Sequence, residues 1–134
     1  MHAIKSRSCF IFLALVFLSG CIDKITPHEM TRTAMTETFV RINIYAETNK
    51  AVPPSLDVLP KRDGYANQTA DGWNRPLQYR VTQDGIIILT SLGADGKPGG
   101  DGDNTDISMS YHSKRADGSL WVGSPMWIVE TEVK

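Results

Sequence analysis

The chain has 134 residues, 41% of them hydrophobic and 22% charged, and 14 Lys and Arg stand against 15 Asp and Glu, for a net charge of −1 and a pI near 6.3. These values lie at the globular average and exclude a collagen-like repeat, a disordered tail and a multi-pass membrane protein. Without a basic excess there is no electrostatic footprint for nucleic acid, and two cysteines confined to Cys9 and Cys21 exclude a disulfide framework.

Lys5 and Arg7 form a positive leader, and residues 9–18 are an unbroken apolar run. That run falls short of the roughly 20 residues a spanning helix needs, so it reads as a secretory signal. It ends in Leu18-Ser19-Gly20-Cys21, which resembles the bacterial lipobox. The resemblance implies a diacylglyceryl group on the Cys21 sulfur and cleavage before it. The expected organisation is a lipoprotein signal peptide over residues 1–20, a tether over 21–29 and one globular domain over 30–134. Loss of Lys5 and Arg7 with the signal takes the net charge from −1 to −3. Acyl chains contribute about 0.8 kcal/mol per buried CH₂, so a multiply acylated anchor holds a polar domain on a membrane without a spanning helix. Ile22 stands where an Asp retains many Gram-negative lipoproteins in the inner membrane, so the expected location is the cell envelope, facing the periplasm, with the outer membrane favoured.

From about His28 to Asn49, Met30, Ala34, Met35, Phe39, Ile42, Tyr45 and Ala46 recur at spacings of three and four, with Arg32, Glu37, Arg41 and Glu47 between them. This predicts a long amphipathic helix, with Thr26 as its N-cap, Pro27 at the first position and a stop before Pro53-Pro54. Leu56, Val58 and Leu59 form an apolar knot among prolines. Leu77, Tyr79 and Val81 then alternate with polar residues, Gln83-Asp84-Gly85 makes a turn, and residues 86–90 read as a second, continuously buried strand. Residues 119–122 and 127–133 are further β-rich segments. The fold class is α+β: one long N-terminal helix packed on a small antiparallel sheet.

Residues 95–106 hold four aspartates, four glycines and a single lysine, with no large apolar side chain. Crowded carboxylates disfavour a compact loop unless a cation joins them, and glycines let backbone carbonyls turn inward. A hard cation with oxygen ligands, Ca²⁺ before Mg²⁺, meets both demands; the absence of Cys and His from the loop disfavours zinc and copper. Asp101, Asp103 and Thr105 begin like an EF-hand, yet Asp106 stands at its sixth position and His112 at its twelfth. A single Gly99-Gly100-Asp101-Gly102-Asp103-Asn104 is no stacked calcium repeat either. Composition alone leaves open a solvated acidic loop that binds nothing.

Asp71-Gly72-Trp73-Asn74-Arg75-Pro76-Leu77-Gln78-Tyr79, followed by Ser91-Leu92-Gly93-Ala94-Asp95-Gly96 and its acidic continuation to Ile107, resembles the periplasmic domain of the major pseudopilin of type II secretion. The proline-leucine segment from Val52 to Leu59 fits the same pattern. The resemblance implies a pseudopilin-like fold and a calcium loop. Carried over, the ligands are the carbonyls of Leu92 and Lys97, the carboxylate of Asp95, the side chains of Asp103 and Asn104, and Asp106 as a further oxygen donor. Asn104 stands where relatives can have an acid, and Asp101 is an alternative. Trp73 and Pro76 are expected to seat the loop. A pseudopilin would continue after cleavage as a long apolar polymerising helix with a glutamate at position five; here Cys21-Ile22-Asp23-Lys24 follows, with Ile25 at that place. The segment after Ile107, with Trp121 and Trp127, is longer than the usual ending and is expected to extend the sheet.

His28 and His112 are the histidines beyond the signal, and no serine lies in a G-x-S-x-G context, so no enzyme is expected. The reading is a lipid-anchored, calcium-stabilised interaction module with a protein partner in the envelope, an accessory of a secretion or pilus-like apparatus. The alternative is a stand-alone binding domain that reuses the fold. Palmitate labelling checks the anchor: Cys21→Ala is expected to abolish the label, and undiminished label would refute lipidation.

Overall fold

Phe39, Met35 and Ile42, three of the positions spaced along the N-terminal helix, are wholly buried against Leu77, Ile87, Leu89, Ile107, Met109 and Tyr111. One helix laid on one face of an antiparallel sheet therefore forms the core. The computed structural model describes residues 24–113 and 117–119, together with the backbone of 129–133. The signal peptide, Cys21, Trp121, Trp127 and most of the segment 119–122 lie outside the described residues.

The helix α1 (Pro27–Asn49) starts as its sequence dictates. The Thr26 hydroxyl accepts the Glu29 N–H at 3.2 Å, and the Glu29 carboxylate accepts the Thr26 N–H at 2.8 Å. This capping box satisfies two donors at the helix start and holds the Glu29 carboxyl below its ordinary pKa, chiefly through the Thr26 backbone N–H. The first turn takes Pro27, His28 and Glu29 out of the expected tether. At the other end Lys50 adopts a left-handed conformation (φ 55°) and donates its N–H to Ala46. Threonine is a poor helix former, but Thr31, Thr33, Thr38 and Thr48 each donate a hydroxyl to the carbonyl four residues back. Among the described residues, no helix is long and apolar enough to cross a membrane.

The sheet runs in the order β1 (Gln78–Val81), β2 (Ile86–Ser91), β3 (Asp106–His112) and β4 (Val129–Val133), each antiparallel to its neighbour. The expected hairpin is present: Gly85 (φ 78°) closes the turn, and the Thr82 N–H donates to Ile86 O at 2.9 Å. Ile87 faces Tyr111, Leu89 faces Met109 and Ser91 faces Ile107, so their side chains share the helix-facing side. β2 is thus buried on alternate residues, and Ile86 and Ile88 are half-buried on the other face, not continuously buried as expected. β3 was not foreseen, although Ile107, Met109 and Tyr111 alternate with serines. Its last residue sits beside the β1–β2 turn, where the Ser113 N–H donates to Gly85 O at 2.8 Å.

Two corrections concern the helix stripe. Met30 is 46% exposed, whereas Thr31, Thr38 and Arg41 are buried. Arg41 was expected on the polar side; instead it is only 4% exposed and donates to the carbonyls of Pro60 (2.8 Å), Asn67 (3.0 Å) and Leu59 (3.3 Å). Burial pulls its pKa below the ordinary guanidinium value, opposed by nearby Glu37. Its planar fork thereby gathers a loop that forms no ladder with the sheet. The same loop is fastened outside by Arg62 on Glu37, and the Leu56–Val58 3₁₀ turn brings Leu59 into the core. Burial likewise pushes the phenols of Tyr79 and Tyr111 up to about 12, and Tyr79 stays a neutral donor to Pro53 O at 2.6 Å.

Arg41→Met keeps much of the volume but strands three carbonyls. It is expected to lower stability by about 2–4 kcal/mol in urea denaturation. A loss under about 0.5 kcal/mol would show that the loop is held by something else.

Candidate cation site

The acidic loop leaves β2 at Ser91 and enters β3 at Asp106, so both ends are held by a hydrogen-bonded pair of strands. Its approach is fixed by Asp71, which is 5% exposed. Asp71 Oδ1 accepts the N–H groups of Trp73 (3.0 Å) and Arg75 (2.9 Å), and Oδ2 accepts the Ser91 hydroxyl at 2.6 Å. Ser91 Oγ in turn accepts the Gly93 N–H at 3.2 Å. The tryptophan turn, the end of β2 and the start of the loop are therefore one network. Arg75 Nη1 adds a contact to Gly93 O at 3.4 Å.

Within the loop, the Asn104 backbone threads between two glycines. A Cβ on Gly93 (φ +66°) would lie 2.7 Å from Asn104 C, and one on Gly100 (φ +106°) would lie 2.7 Å from Asn104 O. No other residue fits either place. The Ala94 N–H donates to Asp103 O at 2.7 Å and draws the two limbs together. Gly102–Asn104 form a short 3₁₀ turn with Asp101 before it.

The expected ligands are near one another in the chain but face different ways. Asp95 Oδ1 accepts the Lys97 N–H at 3.0 Å. The Asp103 side chain is 76% exposed and meets His28 Nε2 at 3.3 Å. Asn104 and Asp101 are exposed, and Leu92 is half-buried. Asp106 differs: it is 7% exposed, its Oδ2 accepts the Gly99 N–H at 3.0 Å, and its buried Oδ1 has no hydrogen-bond partner. Among the described residues, no three His, Cys, Asp or Glu side chains gather as a metal-ligating group.

Sequence reasoning missed four residues that place this loop. Asp71 and Ser91 carry the network above, Thr31 Oγ1 accepts the Gly72 N–H at 2.9 Å, and His28 reaches Asp103. An aspartate two residues before a tryptophan in a turn was a legible signal for Asp71, because Asp accepts backbone N–H groups from the residues that follow it. His28 gave none, since its partner is 75 positions away. Trp73 is half-buried against the core, as expected, with the His28 ring edge-on at 4.9 Å.

The family model described as type II secretion system (T2SS), protein G, matches residues 43–110, half of the chain. The match holds the later part of α1, β1, β2, the whole acidic loop and most of β3. No curated protein matches the sequence.

Asp71→Ala removes the acceptor of three donors and is expected to destabilise the fold by about 2–4 kcal/mol, against about 1 kcal/mol for Ser91→Ala. Because the Ser91–Asp71 hydrogen bond is lost in either variant, the double variant should lose clearly less than the sum of the two; full additivity in urea denaturation would contradict the network.

Proposed function

The chain belongs to the family of type II secretion system protein G, and on that footing we propose that it is a lipid-anchored, calcium-stabilised member serving as an accessory of the secretion apparatus. The family is a structural component of secretion in the bacterial cell envelope, where its partners are proteins. Calcium and the lipid are this chain's finer features.

The observation that carries the calcium reading is the buried Asp106 carboxylate with an oxygen left unpartnered. A buried carboxylate with one oxygen unsatisfied is costly inside a protein, and a hard cation is a compensation that suits oxygen. The loop that ends at Asp106 offers the donor types such an ion takes: carboxylates of Asp95 and Asp103, the amide oxygen of Asn104, and the carbonyls of Leu92 and Lys97. Asp95 and Asp103 each hold only local or exposed partners, so reorienting them costs little. Bound there, calcium would neutralise the loop and join its two limbs; its role is structural.

The anchor reading rests on the lipobox at Cys21. Five residues separate Cys21 from Pro27, a span of at most about 22 Å. The membrane would then lie close to the start of α1, and His28 brings the acidic loop to that same end. Tether and loop are neighbours on this account.

Thermal unfolding in EDTA and in calcium tests the reading. Calcium at one hundred times its Kd is expected to stabilise by about 2.7 kcal/mol, raising Tm by at least about 5 °C. Asp106→Asn is expected to abolish that rise, and equal midpoints for the unaltered protein in both conditions would overturn it.

A further inference from the structure

His28 sits at the second position of α1, and the ground beneath it is rigid. The Gly72 N–H donates to Thr31 Oγ1 at 2.9 Å, and a Cβ on Gly72 would run into the Pro27 carbonyl, so the helix start and the tryptophan turn are in direct backbone contact. The His28 ring stands edge-on to Trp73 at 4.9 Å with an interplanar angle of 86°. From this support Nε2 meets Asp103 Oδ1 at 3.3 Å. An ionised carboxylate only accepts, so Nε2 carries the proton and donates it. Asp103 itself lies on the exposed Gly102–Asn104 turn. A supported donor thus engages a carboxylate on an exposed turn.

We propose that His28 competes with the cation for Asp103, and so sets the affinity of the loop. The inference rests on the calcium reading above. In the structure described, Asp103 is committed to His28, and the loop carboxylates are not assembled. Calcium recruits Asp103 only by breaking that bond, and the apparent affinity falls by the fraction of molecules in which Asp103 is free. His28 is a positioning residue in this scheme and touches no metal. The bond joins the first turn of α1 to the loop, so calcium uptake also releases the helix start from its contact with residue 103.

Calcium titration of the full chain by isothermal calorimetry, at one fixed pH, tests this. His28→Ala is expected to bind calcium roughly two- to tenfold more tightly, the range of one exposed hydrogen bond to a charged group. Damage to the fold would weaken binding, so the sign separates competition from a structural defect. His28→Gln, whose amide can donate to the same carboxylate, should stay near the unaltered protein. In an Asp103→Asn background, which removes the contested charge, His28→Ala should bring no gain. Unchanged or weaker binding by His28→Ala, or the same gain without Asp103, overturns the proposal and leaves the calcium reading standing. Absence of calcium binding in the unaltered protein and all variants overturns both.

Discussion

Everything at the loop end of the molecule depends on one buried carboxylate. Asp71 accepts two backbone N–H groups from its own turn and one hydroxyl from Ser91, the last residue of β2. The turn is thereby fastened to the sheet at the residue from which the acidic loop departs. The same turn meets the helix through Gly72, whose N–H reaches Thr31 and whose missing side chain admits the Pro27 carbonyl. Helix, sheet and loop meet there. A carboxylate in this position is tolerable because charge-assisted hydrogen bonds occupy both its oxygens.

Asp106 shows the opposite balance on the same rim. As the first residue of β3 it is fixed by the ladder, and its depth is set by pairing with the rest of the sheet. One oxygen has Gly99, the other nothing. Asp71 is completed by the protein, whereas Asp106 is not, although both are more than nine-tenths buried. Two aspartates of similar depth thus differ in how fully the protein itself satisfies them. The glycines on either side of Asn104 let its backbone pass closer than any side chain would allow.

Much of this was legible in the sequence where the signal was local. The capping box, the helix span, the Asp84-Gly85 hairpin and the acidic loop each lie within a few adjacent residues, and the structure has them where the pattern put them. The failures are non-local. Arg41 reads as a surface residue by its type and becomes the buried clamp of residues 59–67 only because three carbonyls converge on it. Thr31 and Thr38 entered the buried stripe because their hydroxyls are satisfied by the helix itself. β3 was obscured by its serines, yet Thr90 and Ser108 pair across the strands at 2.8 Å on the face away from the helix. The acidic character of the loop was legible, but the orientations of its side chains were not, because Asp103 meets His28 from a distant part of the chain and Asp95 turns back to the Lys97 backbone.

The direction of α1 gives these local facts a shared consequence. Its start touches the acidic loop through His28, while Phe39, three turns on, stacks edge-on against Tyr111 near the far end of β3 at 5.1 Å. Helix and β3 therefore run side by side from the loop toward the β1–β2 turn. A change confined to the later limb of the loop has two routes into the molecule besides the Asp71 network that holds its start: through Asp106 into the sheet, and through Asp103 into the helix start. The first route is stiff, because a central strand paired on both sides resists displacement. The second ends on an exposed side chain with a single contact, so it yields first. Rearrangement of the loop is thus directed toward the point where the chain leads back to Cys21, and away from the core that carries the fold.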